Sequence, residues 1–165
     1  MNAAGEESGE LVEVRLQQLP VALWERAQEH GDELIREFTL MAADGDRGAA
    51  LEVPARLTGL IQQLTARYDG FTAEQEVELA NAAAGGLQEI ELTFQVPAAA
   101  AKAAADLGQL LDAADDYCRA GQHLLTLATP AQSVAFRRWY LDQFIGQIGG
   151  ALPTPWPEWA AVTAR

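Results

Sequence analysis

Apolar and polar residues alternate along two short stretches of this chain, and a third stretch is a short apolar run. Alternation places every second side chain on one face, which is the pattern of a strand with one buried face. The alternating stretches cover residues 12–16 and 88–95, and the apolar run HLLTLA covers residues 123–128. The residues that share a face are Val12, Val14 and Leu16 in the first stretch, and Ile90, Leu92 and Phe94 in the second. The sequence therefore predicts about three short strands.

Helical spacing, with apolar residues recurring every three or four positions, marks five other segments. They cover residues 21–42, 54–68, 72–84, 97–120 and 129–148. Asp69-Gly70 predicts the end of the second helix, and Thr72 with Gln75 three residues later predicts the start of the third. Gly121 is the expected C-cap of the fourth helix.

Each predicted strand passes into a helix through a proline, at Pro20, Pro97 and Pro130. Proline has no N–H to offer a strand ladder, and it presets φ for the first helical turn. Thr129 is the expected N-cap of the last helix, and a strand–helix–strand unit over 88–128 would be parallel. The predicted fold is α+β and predominantly helical, with about five helices layered on a small sheet of about three short strands.

Composition divides the chain into three parts. Residues 1–9, rich in Gly, Glu and Ser, are expected to form a disordered tail. Residues 10–150 are expected to form a single globular domain, large enough to bury a core without a disulfide. Residues 151–165 are rich in proline and tryptophan and predict a C-terminal tail that is extended rather than helical.

Charge limits the partners that the chain can bind. It carries 24 acidic and 11 basic residues, a net charge of −13. Such a surface repels nucleic-acid phosphates and anionic lipid, so neither nucleic acid nor a membrane is an expected partner. The single cysteine, Cys118, forms no internal disulfide, and the acidic N-terminus is unlike a signal peptide. A cytoplasmic location is expected.

Residues suited to metal or cofactor chemistry are sparse. His30, His123 and the lone cysteine show no close pairing, whereas a transition-metal site takes three or four such ligands. Asp112, Asp115 and Asp116 share one helical face, and we interpret them as a solvated acidic surface rather than a cation site. The sequence predicts no metal and no cofactor.

Motifs for covalent or nucleotide chemistry are also missing from the sequence. The only serines are Ser8 and Ser133, and neither lies in a Gly-x-Ser-x-Gly elbow. No Walker loop or Gly-x-Gly-x-x-Gly occurs. The sequence therefore predicts no catalytic residue, and a protein that is not an enzyme.

Two features are candidate protein-contact surfaces. The first is a run of aromatic and arginine residues, types that are common at interface hot spots. The alternative is a core helix whose arginines reach out to water. The second is the segment LPTPWPEW, which either packs over the helices or docks on another chain. The residues concerned are Phe136, Arg137, Arg138, Trp139 and Tyr140 in the first, and Trp156 and Trp159 in the second.

Residues 124–148, LLTLATPAQSVAFRRWYLDQFIGQI, resemble the opening strand and first helix of the anti-sigma-factor ATPases of the histidine-kinase type. The Asn-bearing helix and Asp-x-Gly-x-Gly motif of that family do not follow, so the resemblance carries neither ATP binding nor kinase activity. With LPVALWERAQEHGDELIREF, the chain is also similar to uncharacterised actinobacterial proteins that accompany such ATPases. That resemblance implies a non-catalytic member of a stress or sigma-factor regulatory system, and it points to no functional residue.

Together these features favour a non-catalytic, intracellular protein-interaction module, regulatory in role, that binds a protein partner through an aromatic-rich helical face. The alternative is a small-molecule-binding protein, or an unrecognised enzyme, with a pocket between the sheet and the helices. A homodimer that pairs through an exposed sheet edge or the tail is a further expectation.

Overall fold

The computed structural model describes residues 9–43, 52–121 and 128–164. These parts contain two strands and five helices. The strands are β1 (Leu11–Pro20) and β2 (Glu89–Pro97). The helices are α1 (Val21–Ala43), α2 (Glu52–Ala84), α3 (Ala100–Ala120), α4 (Ala131–Ile148) and α5 (Trp156–Thr163).

The two strands pair antiparallel, and the alternation of their sequences decides which face is buried. The inward-facing side chains are Val14, Leu16 and Leu19 of β1, and Leu92, Phe94 and Val96 of β2. A bulge between Leu16 and Leu19 keeps both leucines on the inner face, and Gln18 within it has a φ of 52°. Such bulges insert one extra residue into a strand and bend it. The outer face is polar, as a solvated sheet face should be.

Two glutamines cover opposite edges of this sheet at the same position along it. Arg15 and Thr93 are register partners. On the β1 side, the Gln147 side chain of α4 accepts a hydrogen bond from Arg15 N (2.9 Å) and donates one to Arg15 O (2.8 Å). On the β2 side, Gln75 Nε2 of α2 donates to Thr93 O at 2.6 Å. The side-chain amides replace the bonds of a neighbouring strand, which satisfies backbone groups that burial would otherwise leave unpaired.

The helices cover the inner face of the sheet and form two apolar clusters. The first joins the inward side chains of both strands to residues of α1 to α4, with Trp139 and Phe136 of α4 at its centre. The second lies among α1, α2 and α3 and contains Phe38, Leu57 and Cys118. The expected class, predominantly helical with a small sheet, is therefore confirmed, although the described residues contain two strands rather than about three.

The predicted break between the second and third helices is wrong, because α2 continues through it. Gly70 lies inside the helix, and the Thr72 hydroxyl contacts Tyr68 O at 3.5 Å, so Thr72 is not an N-cap. Tyr68 and Phe71 both pack against the first cluster, and an uninterrupted helix keeps them there. The predicted end of the third helical segment at residue 84 is confirmed, and Gly86 just beyond it has a φ of 70°.

The predicted start of a helix at Pro97 is wrong. Pro97 is the last residue of β2, paired with Leu11, and α3 begins three residues later at Ala100. Gly121 is the C-cap of α3, as predicted, and its N–H donates to Tyr117 O. The predicted strand at 123–128 and its parallel pairing fall almost wholly on residues 122–127, which lie outside the described residues.

The C-terminal segment is partly helical and not extended throughout, because α5 occupies Trp156–Thr163. Pro157 lies in the first turn, where a missing N–H costs no helical bond. The segment is tied to α4 by buried groups, since Thr154 N donates to Gln143 Oε1 (2.9 Å) and Trp139 Nε1 donates to Thr154 O (2.8 Å). Within residues 9–43, 52–121 and 128–164, no helix has the length and apolar character to cross a membrane.

Candidate functional site

The aromatic run of α4 lies mostly inside the protein. Phe136 is 3% exposed and Trp139 is fully buried, because α4 packs its aromatic face on the inner side of the sheet. Tyr140 is partly buried against the same cluster. The side chain of Arg138 is 59% exposed, whereas that of Arg137 is largely covered. Of the five candidate contact residues in this run, Arg138 is the one presented to solvent.

Trp156 and Trp159 pack back onto the domain. The Trp156 ring centroid lies 5.7 Å from that of Trp139 and 6.0 Å from that of Phe136, both in edge-to-face geometry. Trp159 stacks on Trp156 at 5.9 Å. Such pairs add to the stabilisation that comes from burial alone. Of the two readings of LPTPWPEW, the structure has the one in which the segment packs over α4.

Asp115 lies in a different environment from the one that the sequence predicts. The sequence predicts it on a solvated acidic face, yet it is 3% exposed, whereas Asp116 beside it lies in solvent. Its carboxylate faces α4, where Arg137 Nη2 lies 3.0 Å from Oδ2. The same Nη2 donates to Asp112 Oδ1 at 2.6 Å. Arg137 thus joins two carboxylates of α3, and the buried charge of Asp115 has a partner, as buried charges require.

Thr129 extends this network toward α1. Its hydroxyl donates to Asp115 Oδ1 at 2.5 Å, and its backbone N–H donates to the same oxygen at 3.2 Å. His30 Nε2 lies 3.1 Å from the Thr129 hydroxyl oxygen. Because the hydroxyl proton goes to Asp115, the oxygen accepts from Nε2–H, which fixes the protonated nitrogen of His30. Thr129 therefore joins three helices instead of capping α4, whose N-cap is Pro130 with no side-chain bond.

These residues contain the types used in nucleophilic catalysis: a hydroxyl, an imidazole and a carboxylate. Their arrangement differs from that of an activated nucleophile, in which the imidazole takes the hydroxyl proton and the carboxylate orients the imidazole. Here Thr129 lies between Asp115 and His30, and both contact its hydroxyl. The geometry fixes the positions of three side chains, of which His30 and Thr129 line a cavity.

That cavity has a volume of about 290 Å³ and lies among α1, α2, α3 and α4. Its walls are mainly apolar, and its polar groups come from α1, from α4 and from Thr129. The sequence-based alternative placed a pocket between sheet and helices, whereas this one lies within the helical layer. The principal apolar residues are Trp24, Leu34, Leu107, Leu111, Phe136 and Leu141, and the principal polar ones are His30, Thr129, Ser133, Arg137 and Tyr140.

Burial is the main cause of the pKa shifts of Tyr140, in the cavity wall, and of Cys118, in the second apolar cluster. It raises the pKa of the Tyr140 phenol well above its ordinary value, and the negative charge of Glu76 adds to the effect. Burial also raises the pKa of the Cys118 thiol to about 11, with a further increase from Asp115 and a smaller opposing effect of Arg119. Both groups are therefore neutral at physiological pH, and Cys118 is a poor nucleophile there.

No group of three or more His, Cys, Asp or Glu side chains within the described ranges is placed to hold a metal ion. His123 lies outside those ranges. Local patterns could not have revealed the Asp115–Arg137 pair, because the two residues are 22 positions apart and on different helices. The sequence did contain one sign of this pair, namely a charged residue, Arg137, within the aromatic run of α4.

Comparisons with known protein families, with characterised proteins and with solved structures found no match for this chain.

Proposed function

We propose that this protein binds a small, largely apolar molecule in the cavity among α1, α2, α3 and α4. The observation that carries the proposal is the cavity itself, about 290 Å³ of space with apolar walls and a polar end. Ligand sites are mostly apolar clefts in which a few polar groups orient the ligand. Three of the polar side chains, His30, Thr129 and Arg137, are already held by hydrogen bonds or an ion pair, which reduces the entropy lost when a ligand binds.

Binding, and not catalysis, is the role that this polar end favours. The Thr129 hydroxyl donates to Asp115 and accepts from His30, so its proton and a lone pair are already committed. The Asp115 carboxylate accepts from Thr129 and from Arg137 as well. Side chains joined in this way are suited to orienting a ligand rather than to exchanging protons with it.

The test is a thermal-shift screen of small metabolites with three proteins: wild type, Gly31→Phe and Gly70→Phe. Gly31 lies in the cavity wall on the same face of α1 as Leu34, and a Cβ added there meets no atom within 4 Å. Gly70 is an exposed helical glycine of α2 with equally open space, away from the cavity. Gly70→Phe is therefore a matched control for the change of residue type.

We expect at least one compound to raise the melting temperature of wild type and Gly70→Phe but not of Gly31→Phe, because the new ring occupies the cavity. An equal rise in all three proteins would place binding elsewhere and contradict the proposal. A screen in which no compound raises any melting temperature would contradict it as well.

A second candidate is the protein-interaction module expected from the sequence, regulatory in role as the resemblance implies. Two large apolar side chains of the C-terminal segment favour it, since Leu152 is 87% and Val162 is 73% exposed. Exposed apolar side chains of this size can form part of a contact surface. The test is co-purification from the native host, with Leu152→Asp/Val162→Asp against wild type. A partner that is retained by the double variant would contradict a role for these residues.

A further inference from the structure

Ser133 has a hydroxyl that makes no hydrogen bond within the described part of the protein and that lies in the wall of the cavity. It is 5% exposed, lies in the first turn of α4 and lines the cavity. Thr39, Thr58 and Thr163 each donate to the carbonyl four residues earlier in their helices. Among the described residues, Ser133 Oγ makes no such bond and no other. A serine hydroxyl can donate one hydrogen bond and accept others, so this one is open to a group that enters the cavity.

The charges around the cavity oppose an anionic ligand. Arg137 is the basic side chain in the wall, and two carboxylates, Asp112 and Asp115, already pair with it. With Arg138, which lies 3.7 Å from Asp112, these residues carry no net positive charge. The whole chain carries −13, which lowers the local concentration of anions. A carboxylate or phosphate would therefore lose its hydration without gaining a cation of its own.

A cationic ligand is opposed for a different reason. Among the described residues, none of the side chains that line the cavity is a carboxylate, since Asp112 and Asp115 lie behind Arg137. An ammonium group in the cavity would meet the Arg137 guanidinium first. Its burial among apolar walls would be uncompensated, which is costly for any ion.

We infer that the cavity takes an uncharged molecule with an apolar body and a carbonyl oxygen, and that this oxygen accepts a hydrogen bond from Ser133 Oγ. The inference rests on the proposed function and specifies the class of ligand. Ser133 and the apolar residues Phe136 and Leu141 of α4 line the same cavity, so one helix supplies both a hydrogen-bond donor and part of the apolar wall.

The experiment titrates wild type, Ser133→Ala and Thr39→Ala with three probes of equal carbon number: hexyl methyl ketone, octylamine and octanoate. Dissociation constants come from chemical-shift titration near neutral pH, and melting temperatures are measured without a probe. Thr39→Ala is the control, since it also removes a helical hydroxyl but at an exposed site on α1.

We expect the ketone to bind wild type most tightly and Ser133→Ala to weaken it about two- to tenfold, the value of one hydrogen bond. Thr39→Ala should bind the ketone as wild type does. Ser133→Ala should unfold at the wild-type temperature, since it removes no bond of the folded protein, whereas a structural serine would lower that temperature and leave the affinity unchanged.

Tighter binding of octanoate or octylamine than of the ketone would overturn the inferred ligand class and leave the cavity as a binding site. Unchanged ketone affinity in Ser133→Ala would overturn the role of Ser133. If no probe binds wild type, and the metabolite screen with Gly31→Phe is also negative, the proposed function and this inference both fail.

Discussion

Asp115 of α3 and Arg137 of α4 form an ion pair with 3.0 Å between Oδ2 and Nη2, in which the side chains are 4% and 12% exposed. The pair connects the helix that carries the second apolar cluster to the helix at the centre of the first. Removing one partner of a buried ion pair is costly, because it leaves the other charge buried with less compensation. Stability should therefore depend on Asp115 far more than on its acidic neighbours.

Asp115→Ala should lower the free energy of unfolding by about 1.5–3 kcal/mol, since Thr129 loses its charged acceptor and Arg137 keeps only Asp112. Asp116→Ala, one residue further along α3, removes a carboxylate that is 82% exposed and should change stability by about 0.5 kcal/mol or less. Urea denaturation of both variants is the measurement. Similar losses in the two variants would mean that the Asp115 pair contributes little.

Gln147→Ala should lower the free energy of unfolding by about 1–3 kcal/mol, because Arg15 N–H and C=O would lose the bonds that they make to one side chain. Gln109→Ala is the matched control, an exposed glutamine on α3. Hydrogen exchange of the Arg15 amide gives a local readout and should become faster in Gln147→Ala. Unchanged protection of that amide would argue against the side-chain cover of the β1 edge.

Gly70→Ala should raise the free energy of unfolding by about 0.5–1 kcal/mol, since alanine favours a helix interior and its Cβ meets no atom within 4 Å. Gly70→Pro should instead cost about 3 kcal/mol. Thermal or urea unfolding distinguishes the continuous α2 from a two-helix arrangement. At a glycine that ended one helix in a left-handed conformation, alanine would be destabilising.

Stability should fall at alkaline pH because of Cys118. Its pKa rises from an ordinary 9.0 to about 11 in the folded protein, so folding favours the neutral thiol. A group whose pKa is raised on folding contributes stability that is complete below the unfolded value and is lost as pH rises toward the folded one. The contribution is therefore expected to disappear between pH 9.0 and about 11.

The measurement is the difference in free energy of unfolding between wild type and Cys118→Ala across that range. The difference should shrink as the pH rises, because the variant has no thiol to ionise. A difference that stays constant would mean that the thiol titrates alike in the folded and unfolded chains. Slow reaction of native Cys118 with a thiol reagent near neutral pH is a second expected result.

Short-range sequence patterns predicted the parts of the fold that depend on interactions between residues close in sequence. The alternation at 12–16 and 88–95 located both described strands, and Gly121 marked the end of α3, because side-chain period and backbone freedom act over a few residues. Asp69-Gly70 predicted a helix end that does not occur, because packing with distant residues outweighs the local preference. A helical glycine costs about 1 kcal/mol, which is less than the burial gained by keeping Tyr68 and Phe71 against the core.

The site was less predictable than the fold. The aromatic side chains of Phe136 and Trp139 indicated a contact surface, yet the same apolar area fills the interior once α4 covers the sheet. Asp115 faces α4 whereas Asp116 faces solvent, and the sequence spacing on α3 does not show which of the two is buried. His30, Thr129 and Ser133 come together around the cavity through tertiary packing of α1 and α4.

The two glutamines that flank the sheet have a consequence for how copies of this protein can associate. A ribbon of two strands ordinarily leaves both flanks open to a strand from another molecule, the first step toward domain swapping and fibrils. Gln147 and Gln75 already occupy the backbone groups midway along each flank. A foreign strand would have to displace a side-chain amide first, so strand addition is disfavoured at the midpoint of each flank.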